Sequence, residues 1–81
     1  MSEMKMYGTN ECPDCRRSKL FLEENGIDYD WVDIDQDPSA AELVVRVNDG
    51  RRSVPTIIFP DGSLLVEPTN RELAEKLGLF E

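Results

Sequence analysis

The sequence predicts an α/β fold, a small four-stranded mixed sheet with helices on both faces. Short apolar runs typical of strands alternate with segments that have an apolar stripe at helical spacing. Helix-start signals follow the loops at three places, which predicts the order β-α-β-α-β-β-α. A chain of 81 residues is expected to form one domain, residues 1–81, with a small core.

The first half of the chain predicts strand, helix and strand. Residues 4–7 predict the first strand and residues 8–11 a loop. Pro13 suits the first position of a helix, where its missing N–H costs nothing, and the helix continues to residue 25. Gly26 is a suitable left-handed stop, and the alternation over residues 29–34 predicts the second strand.

The second half of the chain predicts two further helices around a hairpin. After Pro38, a Ser39-to-Glu42 capping box predicts the start of the second helix, which ends near residues 48–50. Residues 56–59 and 64–66 predict strands joined by a tight turn at residues 60–63. A second capping box, from Thr69 to Glu72, predicts the last helix, which ends at Gly78.

The two cysteines, Cys12 and Cys15, lie three residues apart where the first strand gives way to the first helix. Near a β-α-β pattern this spacing predicts a dithiol redox site, because the two sulfurs come close enough for a reversible disulfide. The helix N-terminus stabilises a thiolate. Cys12, on the solvent side, is the expected nucleophile, and Cys15, one turn into the helix, is the expected resolving thiol.

Charged residues around Cys12 have opposing effects. Arg16 and Arg17 would favour its thiolate, whereas Glu11 and Asp14 would oppose it. The two arginines are equally well explained as a solvated helix face.

Composition narrows the possible partners and the location. The net charge is −8, with 17 acidic and 9 basic residues, which argues against nucleic acid and anionic membranes as partners. There is no long apolar run and no signal-peptide pattern, so the expected location is the cytoplasm, where a disulfide is transient.

The chain has no histidine. Cys-His catalytic pairs are therefore excluded, and no metal site is expected within the chain.

The element order and several separated motifs resemble the thioredoxin fold in its short, glutaredoxin form. The motifs are the Cys12–Cys15 pair, the strand end at residues 32–35 and the Val54-Pro55-Thr56 segment. Residues 59–63 are similar to the hairpin of actinobacterial mycoredoxins. The resemblance covers almost the whole chain and implies a thiol-disulfide oxidoreductase.

The resemblance also implies roles for individual residues. Pro55 would form a cis peptide bond beside the cysteines, and Val54 would offer its backbone to the incoming thiol. Arg51 and Arg52 lie where relatives bind a carboxylate or recruit a partner, although a solvated loop explains them equally well. Pro13, between the cysteines, is also expected to contact the substrate.

The implied co-substrate is a low-molecular-weight thiol, mycothiol or glutathione, with no bound cofactor, and the implied partners are proteins carrying disulfides. Residues 67–70 lack the Gly-Gly pair with which ordinary glutaredoxins hold glutathione, and Pro68 has no N–H to donate. Mycothiol, which carries no carboxylate, therefore suits the chain better than glutathione. The protein is expected to be a monomer.

Two other functions stay open at this stage. One is a thioredoxin-like carrier recycled by a flavoprotein reductase, as for glutaredoxin-like donors to ribonucleotide reductase. Those donors carry a Trp-Ser-Gly-Phe-Arg-Pro segment near the last helix, and residues 66–71 do not match it. The other is an iron-sulfur cluster carrier that shares its cluster across a dimer, against which the second cysteine argues.

Overall fold

A computed structural model describes residues 4–79 and confirms the α/β class. Its elements follow the predicted order: β1 (Lys5–Gly8), α1 (Pro13–Glu24), β2 (Asp30–Asp33), α2 (Pro38–Val47), β3 (Thr56–Ile58), β4 (Leu64–Val66) and α3 (Asn70–Leu77). The sheet has the strand order β2-β1-β3-β4. Strand β1 is parallel to β2 and antiparallel to β3, and β3 is antiparallel to β4, so the sheet is mixed.

Strand register places the ends of two loops side by side. Tyr7, near the end of β1, pairs with Thr56 at the start of β3. The chain leaving β1 leads to Cys12, and the chain entering β3 passes through Val54 and Pro55. Because β1 and β3 are antiparallel, the loop after β1 and the segment before β3 lie at the same end of the sheet.

The core lies on both faces of the sheet, because successive residues of β1 point to opposite sides. Met6 belongs to a cluster that includes Leu22 of α1 and Leu73 of α3. Tyr7 belongs to a second cluster that includes Val44 of α2. Helices α1 and α3 therefore cover one face and α2 covers the other, as the sequence predicts.

The predicted start of α2 is wrong. The helix begins at Pro38, and its N-cap is Asp37 rather than Ser39. One carboxylate oxygen of Asp37 accepts hydrogen bonds from the backbone N–H groups of Ser39 and Ala40 and from the Ser39 hydroxyl. A carboxylate just before a proline at the first helical position caps the helix, and the Ser39 hydroxyl then serves as a donor to it.

The predicted start of α3 is correct, and so is the turn before β4. Thr69 accepts a hydrogen bond from the N–H of Glu72, whose carboxylate accepts one from the N–H of Thr69. In the turn, the Asp61 carboxylate accepts hydrogen bonds from the hydroxyl and N–H of Ser63 and pairs with Lys76. These contacts, led by the Ser63 hydroxyl, lower the pKa of Asp61 to about 2.

Other boundaries differ from the predictions by one or two residues, as expected where short elements fray. None of the helices between residues 4 and 79 is long and apolar enough to cross a membrane.

Candidate functional site

Cys12 is the N-cap of α1, and its extended backbone conformation ends the loop that follows β1. Its sulfur accepts a hydrogen bond from the N–H of Cys15, with 3.1 Å between N and Sγ. The next residue, Pro13, has no N–H and occupies the first helical turn, so it leaves this cap undisturbed. The backbone N–H of Cys15, in the first turn of the helix, thus points at the Cys12 sulfur, a position that favours negative charge.

Cys15 has a different environment, although it lies only one turn further along α1. Its side chain is fully buried, on the same face of the helix as Ser18 and Leu22. Burial, with a further contribution from the hydrogen bond to Cys12, raises the pKa of Cys15 to about 12. The structure thus contains one half-buried sulfur that accepts an N–H and one buried sulfur that is held as the thiol.

The segment before β3 lies against the Cys12 sulfur. The peptide bond between Val54 and Pro55 is cis, and Pro55 is buried. The carbonyl oxygen of Val54 is 3.8 Å from Cys12 Sγ and accepts a hydrogen bond from its thiol. The Pro55 carbonyl oxygen accepts one from the N–H of Glu67, at 2.8 Å, which ties this segment to the chain leaving β4.

Arg16 and Arg17, predicted from sequence to tune the thiolate, both hydrogen bond to backbone carbonyl groups. Arg16 Nε donates to the Asn10 carbonyl at 3.1 Å. Arg17 donates to the Pro68 carbonyl at 3.3 Å and pairs with Asp14 at 3.2 Å. Within residues 4–79, no hydrogen bond joins either guanidinium to Cys12. The structure therefore gives them roles in holding the loops around Cys12.

Arg51 and Arg52, neighbours in sequence, have different surroundings. Arg52 forms an ion pair with Asp35, in the loop after β2. Arg51 lines an open cavity of about 420 Å³ between the end of α2 and the end of β4. The other lining residues are Val47, Asn48, Asp49, Ser53, Val66 and Glu67. The cavity borders Ser53 and so adjoins the segment that contacts Cys12.

Sequence reasoning missed Gly8, the last residue of β1. A Cβ atom at this position would lie 2.6 Å from Cys15 Sγ and 2.9 Å from the ring of Trp31. The absence of a side chain at Gly8 thus allows the Cys15 sulfur to pack directly on the strand. A glycine at the end of a strand, four residues before the motif, was the available signal for a close approach.

We expect the closing of the disulfide by Cys15 to accelerate with pH. Burial is the main cause of the raised pKa of Cys15, and we expect this burial to persist when Cys12 is bound in a mixed disulfide. Only the thiolate attacks, so the rate should rise about tenfold per pH unit between about pH 7 and pH 9. Stopped-flow measurement on a preformed mixed disulfide tests this, with Cys15→Ser as the control that cannot close. A plateau below about pH 8 would contradict the prediction.

Comparison with known proteins assigns the family. The glutaredoxin family model matches residues 4–65. The chain belongs to the glutaredoxin family. Like its relatives, this glutaredoxin is a thiol-disulfide oxidoreductase.

Individual relatives agree with this assignment. Mycoredoxin 1 of Corynebacterium glutamicum is 42% identical over 77 residues, which cover 95% of this chain and 95% of the relative. A Mycobacterium tuberculosis protein provisionally named a glutaredoxin is 46% identical over 74 residues, which cover 91% of this chain and 88% of that protein. Among solved structures, the glutaredoxin-like NrdH-redoxin of Escherichia coli superposes with a TM-score of 0.76 at 26% identity. That match covers 91% of this chain and 92% of the NrdH-redoxin, and it confirms the fold.

Proposed function

We propose that this glutaredoxin uses Cys12 as the nucleophile that reduces mixed disulfides between proteins and a low-molecular-weight thiol, and also protein disulfides. The observation that carries the proposal is the position of the Cys12 sulfur. It accepts the N–H of Cys15 at 3.1 Å and faces the Val54 carbonyl at 3.8 Å, beside the cis peptide bond. The helix start favours a thiolate there, and the sulfur lies next to the Val54 backbone, which we expect an incoming substrate to contact.

The reaction proceeds by two exchanges of sulfur partners. The Cys12 thiolate attacks the thiol-derived sulfur of a mixed disulfide, and the target protein's sulfur leaves as a thiolate and takes up a proton. Cys12 is then joined to the small thiol. A second molecule of that thiol, as its thiolate, attacks this disulfide, leaves as the oxidised small-molecule disulfide, and restores the Cys12 thiolate.

For a protein disulfide, the second exchange takes place within the chain. The Cys12 thiolate forms a bond to one sulfur of the target, and the other target sulfur leaves. Cys15, after losing its proton, attacks Cys12 Sγ, releases the target as a dithiol and leaves a Cys12–Cys15 disulfide. Two molecules of the small thiol then reduce that disulfide, and both electrons come from their oxidation.

The small thiol that suits this chain best is one without carboxylates, such as mycothiol. The relative named mycoredoxin supports this choice. So do the net charge of −8 and the absence of a Gly-Gly pair at residues 67–70. Pro68 is buried and has no N–H with which to hold a glutathione carboxylate. A transient disulfide of this kind suits the reducing cytoplasm, and the proposed active form is a monomer.

A second candidate is a thioredoxin-like carrier recycled by a flavoprotein reductase. The structural likeness to the NrdH-redoxin of Escherichia coli, a protein described as having a thioredoxin-like activity profile, favours it. Residues 66–71 lack the segment typical of such carriers, so we rank it below the first function.

Disulfide reduction with three purified reductant systems tests the proposal. The systems are mycothiol with its reductase, glutathione with its reductase, and thioredoxin reductase with NADPH. We expect turnover with mycothiol and weaker turnover with glutathione. Turnover only with thioredoxin reductase would replace the proposed function by the carrier function. No turnover in any system would overturn both.

A further inference from the structure

An ion pair between Arg52 and Asp35 joins the segment before β3 to the loop after β2. Arg52 lies two residues before Val54, whose carbonyl faces the Cys12 sulfur. Two residues of chain span at most about 7 Å, so the Arg52 backbone lies close to the segment that contacts Cys12. Its guanidinium contacts Asp35 Oδ1 at 2.5 Å, and about half of each side chain is exposed. A cation in this place would attract a carboxylate of a bound thiol if it were free to do so.

Asp35 is held in position by a chain of hydrogen bonds that reaches the loop before Cys12. Its N–H donates to Asp33 Oδ1 at 2.9 Å, and Asp33 Oδ2 accepts from the Asn10 amide at 3.3 Å. The Asn10 carbonyl in turn accepts from Arg16 Nε at 3.1 Å. These hydrogen bonds connect Asp35, which pairs with Arg52, to α1, the β1–α1 loop and the end of β2.

The neighbouring cavity has no net positive charge. Arg51 lines it, together with the carboxylates of Asp49 and Glu67. Both of these acidic residues have left-handed backbone conformations, with φ of 56° at Asp49 and 51° at Glu67. The one cation of the cavity is therefore outnumbered by two anions, and an anionic ligand gains little there.

We propose that Asp35 is a specificity-determining residue, which neutralises Arg52 and so favours a low-molecular-weight thiol without carboxylates over an anionic one. This inference rests on the proposed function and names the class of thiol that the site prefers. Asp35 acts on the substrate through Arg52: an anionic thiol must displace Asp35 before it can use the guanidinium, whereas an uncharged thiol has no need of it.

The test compares glutathione with glutathione diethyl ester, which has the same peptide backbone but no carboxylate charge. The measurement is the kcat/KM with which the reduced protein removes either thiol from a fluorescent peptide mixed disulfide. We expect Asp35→Asn to raise kcat/KM for the glutathione conjugate about threefold and to leave the ester conjugate unchanged. We expect a gain of this size because exposed ion pairs change equilibrium constants by no more than about fivefold. The gain should shrink as salt is raised.

Two further variants isolate the effect. Asp61→Asn also removes one carboxylate from an exposed ion pair, with Lys76, but in the turn before β4, and it should change neither rate. In an Arg52→Gln background, Asp35→Asn should give no gain, because the guanidinium that it frees is absent. A gain that persists there, an equal gain with both conjugates, or no gain with glutathione would overturn the inference. Wild-type protein inactive on both conjugates and also on the mycothiol conjugate would instead overturn the proposed function.

Discussion

Replacing Cys12 by serine is expected to lower the rate of mixed-disulfide reduction by at least about a thousandfold. A hydroxyl cannot form the disulfide with the substrate that both exchanges require. The fold should survive, because serine is a preferred N-cap and its oxygen can accept the N–H that the Cys12 sulfur accepts from Cys15. The measurement is turnover with mycothiol or glutathione, together with the urea midpoint to confirm folding. Activity within about tenfold of wild type in folded protein would exclude Cys12 as the nucleophile.

Cys15→Ser is the matched variant, since it makes the same atomic change one helical turn away. We expect it to retain reduction of mixed disulfides with small thiols, because a second small thiol completes that reaction. Reduction of protein disulfides should fall, because the buried thiol that would release the target is missing. Equal losses in both assays would contradict the division of labour between Cys12 and Cys15.

The second large effect is expected at Gly8, where alanine should destabilise the protein by about 1–3 kcal/mol. The backbone of Gly8 lies outside the left-handed region, so the cost is steric. The added methyl group would lie 2.6 Å from Cys15 Sγ and 2.9 Å from Trp31, distances at which neighbouring atoms must move. Cys15 is fully buried and the partly buried Trp31 packs against the core, so displacing either one costs packing. Urea unfolding measures the loss.

A double-mutant cycle separates the two contacts of Gly8. In a Cys15→Ala background the nearest clashing atom is gone, so Gly8→Ala should cost less there than in the wild type. Some cost should remain from the ring of Trp31. The rate of disulfide closing should also change in the Gly8→Ala protein, because the methyl group would displace the sulfur of Cys15, the proposed resolving thiol. Unchanged stability together with an unchanged closing rate would show that the strand and the helix pack less closely than the 2.6 Å distance to Cys15 Sγ requires.

Residue type and spacing along the chain were enough to predict the element order, the sheet with helices on both faces and the dithiol motif. These features depend on local signals, such as the apolar periodicity of each segment and the capping box at Thr69. The same reasoning was wrong at the start of α2. There two local caps competed, and the Asp37 carboxylate just before Pro38 caps the helix in place of Ser39.

The sequence by itself determined which residues are available for chemistry: two cysteines at helical spacing, a Val-Pro pair and the arginines at positions 16, 17, 51 and 52. Only the tertiary structure decided what each of them contacts. The pairing of Tyr7 with Thr56 brings Val54 to Cys12, residues 42 positions apart. Arg52 pairs with Asp35, 17 positions away in the sequence, and Arg17 donates a hydrogen bond to the carbonyl of Pro68, 51 positions away. Such contacts depend on how strands pair and loops meet in space, and no periodicity within a short segment records that.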